Sequence, residues 1–344
     1  MNVLIVAFVS LNVLWVPLNQ IQSTMPIFGF NLTKNTMMFG LIFWSKAILS
    51  QKRTFGQITK INFPQYQKKQ QAENYNMIKT NHSASKYPQP AGTNLETVTD
   101  VEHYTDRLFR FRITRPPTFR FKSGEFVMIG LPNAEKPVFR AYSIASPSWD
   151  EELEFYSIKV PGGPLTEHLQ KIVKGDPVLL RQKSTGTLVN DALLPGKRLW
   201  MFSTGTGFAP FASLVRDPET FEKYEKIFVT HTCRDVDELV YSKQVCENLI
   251  NDPLCGEFSD KIKLIQTTTR QKFKKMGRIT ELLSNGKLFS DLEIGKITPG
   301  ADRGMICGSV NMINDTKTIL ESFGLKEGSN SKPDTFVVEK AFVD

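Results

Sequence analysis

Near Pro195-Gly196 the hydrophobic patterning of this 344-residue chain changes, and that change restricts the fold more than any other feature. Before it, from about Leu95, short runs of alternating apolar and polar residues recur at 95–101, 107–114, 125–131, 139–145, 153–160 and 177–183. Between them stand Pro116-Pro117, Gly124, Pro132, Pro147, Pro161-Gly162-Gly163 and Gly175. A period of two between turn residues is the pattern of antiparallel strands. Six such strands suit a small barrel, with room for one helix, Leu165 to Val173. After the change, Arg198-Leu199-Trp200-Met201-Phe202-Ser203 reads as a strand buried on both faces. Strands expected at 226–232, 261–267, 303–307 and 335–339 alternate with helices from Phe208 and near 237–250, 278–284 and 309–322, as in an open parallel α/β sheet. The expected fold class is therefore two-domain β plus α/β: an antiparallel β-barrel over 91–195, then a parallel-sheet α/β domain over 196–344.

Charge separates a third region. The formal charge is +8, and residues 1–90 hold nine Lys/Arg against one acid, Glu73, which accounts for all of it. The rest of the chain is neutral, so the basicity does not belong to the globular part. No helix-turn-helix pattern or aromatic interleaving accompanies it, which argues against nucleic acid. An acid-poor, basic, amide-rich segment that gives way to balanced composition is a targeting pattern. Of two apolar runs, Val3–Leu18 and Met37–Leu49, the first is too short and interrupted for a membrane-crossing helix. The second leads into Lys52-Arg53, as in a mitochondrial presequence. Residues 1–90 are expected to be a targeting and linker extension, largely disordered. Mitochondrial delivery is preferred over a cytoplasmic or membrane-anchored protein.

Cys233, Cys246, Cys255 and Cys307 form no Cys-x-x-Cys pair, and no Cys/His set has metal-binding spacing. No metal is expected, and four scattered thiols fit a reducing compartment. His82 falls in the linker, and His103, His168 and His231 have no carboxylate or hydroxyl partner at triad spacing and read as structural.

Three short strings carry the chemistry. Arg140-Ala141-Tyr142-Ser143 closes a barrel strand. A guanidinium grips a pyrophosphate bidentately, a phenol ring lies along an isoalloxazine, and a hydroxyl reaches flavin N5. The second half of such a cradle follows in Lys159-Val160-Pro161-Gly162-Gly163-Pro164-Leu165-Thr166, where glycines admit a diphosphate and a helix begins. Gly205-Thr206-Gly207-Phe208-Ala209-Pro210 lies between a buried strand and a helix, where parallel sheets bind nucleotides. It lacks the third glycine of the dinucleotide fingerprint and any following Gly-Lys-Ser/Thr. Arg234, Arg270 and Arg278 fall at strand or helix ends on the carboxyl side of the same sheet. Basic residues there favour a 2′-phosphate, hence NADP(H) over NAD(H). Cys307-Gly308-Ser309 ends a strand with a small thiol beside glycine, space for a flat nicotinamide. The chain closes on Val337-Val338-Glu339-Lys340-Ala341-Phe342-Val343-Asp344, still strand-like.

Over residues 91–344 these strings resemble the ferredoxin–NADP reductase family, specifically its bacterial-type branch. The resemblance implies FAD and NADP(H) as cofactors. It implies FAD binding by Arg140, Ala141, Tyr142, Ser143, Lys159, Val160, Gly163, Leu165, Thr166 and Phe342. For the pyridine nucleotide it implies Gly205, Thr206, Gly207, Arg234, Arg270, Arg278, Gly308 and Ser309. Ser143, Cys307 and Glu339 would border the hydride path. Ala341 falls where plastid-type relatives carry an aromatic residue on the flavin. One departure is Val310, where the family commonly has proline. The implied reaction moves electrons between NADP(H) and ferredoxin or flavodoxin through FAD, in a monomer. A basic docking patch is expected from Arg107, Arg110, Arg112, Arg115, Arg120 and Lys122. The alternatives are an NADH-dependent cytochrome b5-type reductase and a non-catalytic flavoprotein-like subunit of a respiratory assembly.

Overall fold

The computed structural model describes residues 5–9, 12–16, 89–132 and 136–340. Two compact units divide the chain, Met1–Gln70 and Gln71–Asp344. In the first, β1 (Ile5–Val9) pairs antiparallel with β2 (Asn12–Val16), Ile5 opposite Val16. Part of the expected apolar run Val3–Leu18 is thus a hairpin. The expected presequence at 37–55 lies outside the described residues. Among the described residues no helix is long and apolar enough to cross a membrane.

The second unit opens with β3 (Thr93–His103), β4 (Leu108–Thr114), β5 (Phe126–Gly130), β6 (Phe139–Ser143), β7 (Glu152–Ile158) and β8 (Pro177–Thr185). They form an antiparallel sheet in the order β6-β5-β8-β3-β4-β7. An isolated bridge between Ile144 and Phe155 joins its two ends into a barrel. The cause is plain in β4, where Phe109, Phe111 and Ile113 are fully buried and Arg110, Arg112 and Thr114 alternate with them on the outer face. Strand β7 departs from alternation because both faces are covered: Leu153 and Phe155 face the barrel core, and Glu154 and Tyr156 meet the second sheet.

That second sheet holds β9 (Arg198–Thr204), β10 (Lys226–Cys233), β11 (Ile262–Thr268), β12 (Asp302–Gly308) and β13 (Phe336–Lys340). All pairings are parallel, in the order β11-β10-β9-β12-β13. Helices α1 (Thr166–Leu169), α2 (Ala209–Leu214), α3 (Pro218–Lys223), α4 (Val240–Asn248), α5 (Ile279–Ser284), α6 (Lys287–Leu292) and α7 (Val310–Ser322) accompany the strands. Leu199, Met201, Val229 and Met305 pack on one sheet face with Phe211 of α2 and with Tyr156 and Leu188 from the barrel side. Trp200, Phe202, Phe228 and Ile306 pack on the other with Leu283, Leu288, Ile313 and Leu320. Burial on both faces explains the apolar run Leu199–Phe202 of β9 and the buried Met305-Ile306-Cys307 of β12.

Two helices are shorter than expected. The helix expected over Leu165–Val173 is a single turn, Thr166–Leu169, because Leu165, Leu169 and Ile172 are drawn into the barrel core before Gly175 (φ +97°) turns the chain into β8. The helix from Phe208 begins as a 3-10 turn and ends at Leu214. Helix α3 then starts at Pro218, with the Asp217 side chain accepting from the Glu219 N–H.

Candidate active site

The barrel half of the site is a seam. Strand β6 bonds β5 along its whole length, from Phe126 opposite Ser143 to Gly130 opposite Phe139. It meets β7 at the Ile144–Phe155 bridge. Across it, the Tyr142 hydroxyl is hydrogen-bonded to Ser157 of β7. Arg140 and Ala141 are exposed, and the Arg140 guanidinium donates to the Phe139 carbonyl at 2.9 Å, with no carboxylate partner among the described residues. Tyr142 is half-buried, edge-on to Phe155 (6.4 Å) and Phe111 (6.5 Å). Burial pushes its hydroxyl up to about 12, against the opposing pull of the Ser157 hydrogen bond and the Arg140 charge.

Beyond β7, residues 159–166 fold into a tight loop. The Lys159 ammonium donates to the Thr105 carbonyl at 3.0 Å, Val160 is exposed, and Gly162 turns at φ +71°. A Cβ on Gly163 would overlap the Thr166 hydroxyl, which donates to the Val160 carbonyl at 3.2 Å. Leu165 is buried in the barrel core. An unpaired guanidinium, a half-covered phenol and a glycine loop across the seam form a donor set that fits a diphosphate carrying an aromatic ring system. FAD is such a molecule.

The second half lies where β9 has β10 on one side and β12 on the other, the switch point at which parallel sheets open a crevice. Gly205 takes φ +54°, and a Cβ on Gly207 would overlap the Cys307 carbonyl. The Ser309 N–H donates to Thr204 Oγ1 at 3.1 Å, and Ser309 Oγ caps α7 by accepting from the Met312 N–H. Thr206 and Gly308 are buried, while Ser309 is exposed. Ser203, Cys307 and Glu339 occupy one row across β9, β12 and β13. Burial pushes the Cys307 thiol well above its ordinary range, and the Glu339 charge adds to it.

Glu339 ties this row to the barrel. Its Oε2 accepts from the Thr187 N–H at 3.1 Å, and the Thr187 hydroxyl donates to the Val338 carbonyl at 2.8 Å. Gly186 leaves the space: a Cβ there would meet Glu339 Oε2 at 3.0 Å and Glu125 Cα at 3.2 Å. Burial lifts the Glu339 carboxyl to about 7, opposed by the Thr187 amide and reinforced by the Glu125 charge. Glu125 itself accepts from the Ser184 hydroxyl at 2.6 Å. Sequence reasoning missed it, because nothing in the string Ser123-Gly124-Glu125 tells that the last strand of the parallel sheet will face it.

Arg234, Arg270 and Arg278 are all exposed, and among the described residues none of their guanidinium groups has a carboxylate partner, although the Arg234 and Arg278 backbone N–H groups donate to Glu238 and Glu281. The Arg270 N–H donates to the Arg234 carbonyl at 3.0 Å, so these two are neighbours beyond β10 and β11. The following loop doubles back, with Met276 bridged to Thr268 and the Gly277 N–H on the Thr268 carbonyl at 3.0 Å. That return brings Arg278, the residue before α5, to the same sheet end.

His231, read from sequence as merely structural, sits fully buried beneath the glycine turn. Its Nε2 is 2.9 Å from the Gly205 carbonyl and its Nδ1 is 2.7 Å from Ser242 Oγ. A signal was present: Thr230-His231-Thr232 is a polar run inside a strand buried on both faces, and such groups need partners.

Most residues of the expected basic patch are engaged within the chain. Arg112 bonds Glu152 (2.6 Å), Asp150 (2.9 Å) and Glu154 (3.2 Å), and Arg110 bonds Asp100 (2.5 Å) and Glu102 (3.1 Å). Arg107 pairs with Glu238, and Arg115 donates to the Asp150 and Ser148 carbonyls. Arg120 donates to the Pro117 carbonyl and Lys122 pairs with Asp191. Arg107, Arg110, Arg112 and Lys122 are thus paired with acids and Arg115 with carbonyls, while Arg120 is exposed and has no carboxylate partner among the described residues. Phe342 and Ala341 lie outside the described residues. All four cysteines are free.

Residues 93–187 match the oxidoreductase FAD-binding domain family. The chain is 60% identical over 250 residues to the flavodoxin/ferredoxin–NADP reductase of Rhodobacter capsulatus, a match covering 72% of this chain and 93% of that one. It is 47% identical over 253 residues to the ferredoxin–NADP reductase of Azotobacter vinelandii, covering 73% and 98%. Among solved structures, a ferredoxin NADP+ reductase from Neisseria gonorrhoeae with bound FAD and NADP superposes with a TM-score of 0.67 at 30% identity. That superposition covers 74% of this chain and all of that one.

Proposed function

The chain belongs to the ferredoxin–NADP reductase family, and from that premise we propose how its residues divide the work of moving electrons between NADP(H) and ferredoxin or flavodoxin. The observation that carries the proposal is the row Ser203–Cys307–Glu339, which brings the glycine turn, the thiol and the last strand together and reaches the barrel through Thr187. Bound FAD supplies the chemistry that links two-electron exchange with NADP(H) to single-electron exchange with the protein partner.

Arg140 and the loop from Lys159 to Thr166 hold the FAD diphosphate, while Tyr142 and Ser143 orient the ring system. Residues 91–195 form the FAD domain and residues 196–344 the NADP domain. Thr206 and Gly207 receive the nucleotide at the switch point, and Arg234, Arg270 and Arg278 hold the 2′-phosphate. Cys307, kept as a neutral thiol by burial, gives the nicotinamide a polarizable wall. Glu339 holds a proton near neutrality and can exchange it at Oε.

The enzyme is read as a monomer, which light scattering tests. Residues 1–90 are read as a targeting extension. The mitochondrial destination has no support from the relatives named above, which are bacterial.

The direct test is the visible spectrum of the full chain purified with FAD, titrated with NADPH or NADH under argon. Flavin bands that bleach at far lower NADPH than NADH concentration support the assignment. Equal response to both removes the role given to the three arginines. Protein left colourless after FAD addition removes the FAD site.

A further inference from the structure

We propose that His231 is a positioning residue for the pyridine nucleotide, acting through the Gly205–Thr206 peptide without touching the ligand. The inference rests on the NADP(H) reading of the switch point and adds to it the element that sets the shape of the turn.

The geometry is a relay across three elements. From β11, Gln266 Nε2 donates to Ser242 Oγ at 2.9 Å and to the Leu239 carbonyl at 2.8 Å. Ser242, on α4, stands 2.7 Å from His231 Nδ1. From β10, His231 Nε2 stands 2.9 Å from the Gly205 carbonyl. A carbonyl only accepts, so the Nε2 proton goes to Gly205, with Cys233 Sγ a weak second contact at 3.2 Å; Nδ1 then accepts from the Ser242 hydroxyl, whose other acceptor is the Leu239 carbonyl at 3.0 Å. Phe208, from the far end of the same turn, stacks on the imidazole at 5.1 Å. The ring is fully buried, and burial lowers its pKa to about 4, so it stays neutral and keeps this tautomer at physiological pH.

The consequence follows from peptide planarity. The Gly205 carbonyl and the Thr206 N–H belong to one trans peptide and point in opposite directions. Holding the carbonyl on a buried ring therefore turns the Thr206 N–H away from that ring. Gly205, at φ +54°, occupies a region that glycine enters and leaves without steric cost, so the turn keeps this shape only under an outside hold. Imidazole on the carbonyl and Phe208 packed over the same ring supply that hold. Removal of the Nε2 donor frees the peptide to rotate, and the nucleotide then bears the cost of ordering it.

The test is calorimetric titration of NADP+ into FAD-loaded full-length wild type, His231→Phe, His231→Gln and Ser242→Ala. His231→Phe keeps a ring for Phe208 and removes the donor. It is expected to weaken NADP+ binding about tenfold, as for one lost hydrogen bond. Flavin content and the visible envelope stay unchanged, and the NADPH KM rises while kcat holds. His231→Gln restores an N–H donor and is expected to recover binding to within about threefold of wild type. Ser242→Ala loosens the ring and is expected to weaken binding about threefold. If His231→Phe fails to fold, Ser242→Ala and His231→Gln decide. Wild-type affinity in His231→Phe, or in Ser242→Ala, overturns the proposal, as does loss of FAD in step with loss of NADP+. Wild-type protein that holds FAD and gives no heat with NADP+ overturns the NADP(H) reading itself, and this inference with it.

Discussion

The barrel and the parallel sheet each present a set of arginines, and they use them in opposite ways. On the outer face of β4, Arg110 and Arg112 converge on Glu154, a carboxylate also held by Arg216 at 2.9 Å and by the Tyr241 hydroxyl at 2.6 Å. Burial penalises that charge, yet its cationic neighbours hold the carboxyl at about 2. At the carboxyl end of the parallel sheet, Arg234, Arg270 and Arg278 face solvent with no such partner among the described residues. The first set is structural charge, spent on joining barrel to sheet. The second is charge left available for a ligand. A residue count treats the two alike, and only the position of the acids separates them.

The comparison is tested most severely at Glu154. Glu154→Gln leaves Arg216 and Arg112 facing a neutral group in a buried site, and the expected loss is about 3 kcal/mol of unfolding free energy in urea or guanidinium titration. A loss below 1 kcal/mol breaks the claim that the barrel arginines are structural. Next comes the ligand set. Arg234→Ala or Arg270→Ala each removes a charge-assisted contact, so the NADPH KM should rise about 10- to 100-fold. The thermal midpoint should stay near that of wild type, and the advantage over NADH should shrink. A stability loss with unchanged KM would reverse the two roles.

Glu339 gives a smaller effect with a definite sign. Its folded pKa, about 7, lies above the ordinary carboxylate value, so the native state binds more protons than the unfolded state between the two. Its contribution to stability is full below the unfolded pKa and is lost as pH rises through 7. In flavin-free protein, Glu339→Gln should therefore melt higher than wild type at pH 8 and converge with it near pH 4. The smallest effect is expected at Lys122→Ala, which removes an exposed pair with Asp191. Stability should change by about 0–1 kcal/mol, and the salt dependence of ferredoxin reduction should not move. A flattened salt dependence would return this region to the docking surface.

Much of the fold was legible because period and burial coincide. Phe109, Phe111 and Ile113 of β4 alternate as a barrel strand must, and the unbroken burial of β12 marks an inner parallel strand. The seam and the switch point were also legible, since glycines and a strand-ending arginine mark them locally. What escaped were relations made at long range. The acids that neutralise Arg112 lie about forty residues away on β7 and its preceding turn. Glu125 gains its meaning from facing Glu339, more than two hundred residues later. Helix α3 escaped for another reason. Asp217-Pro218 is a legible start signal, but six residues hold too little periodicity to register as a helix.

Gly207 carries one more consequence. Its backbone lies against the Cys307 carbonyl and the Gly308 Cα at the point where the first and fourth strands of the parallel sheet meet. Any side chain there must push two strand ends apart before it reaches a ligand. Under random mutation this position has no tolerated neighbouring step, and an alanine is a lesion of the sheet first. Changes in nucleotide preference must therefore enter through the exposed arginines, where single substitutions leave the scaffold standing.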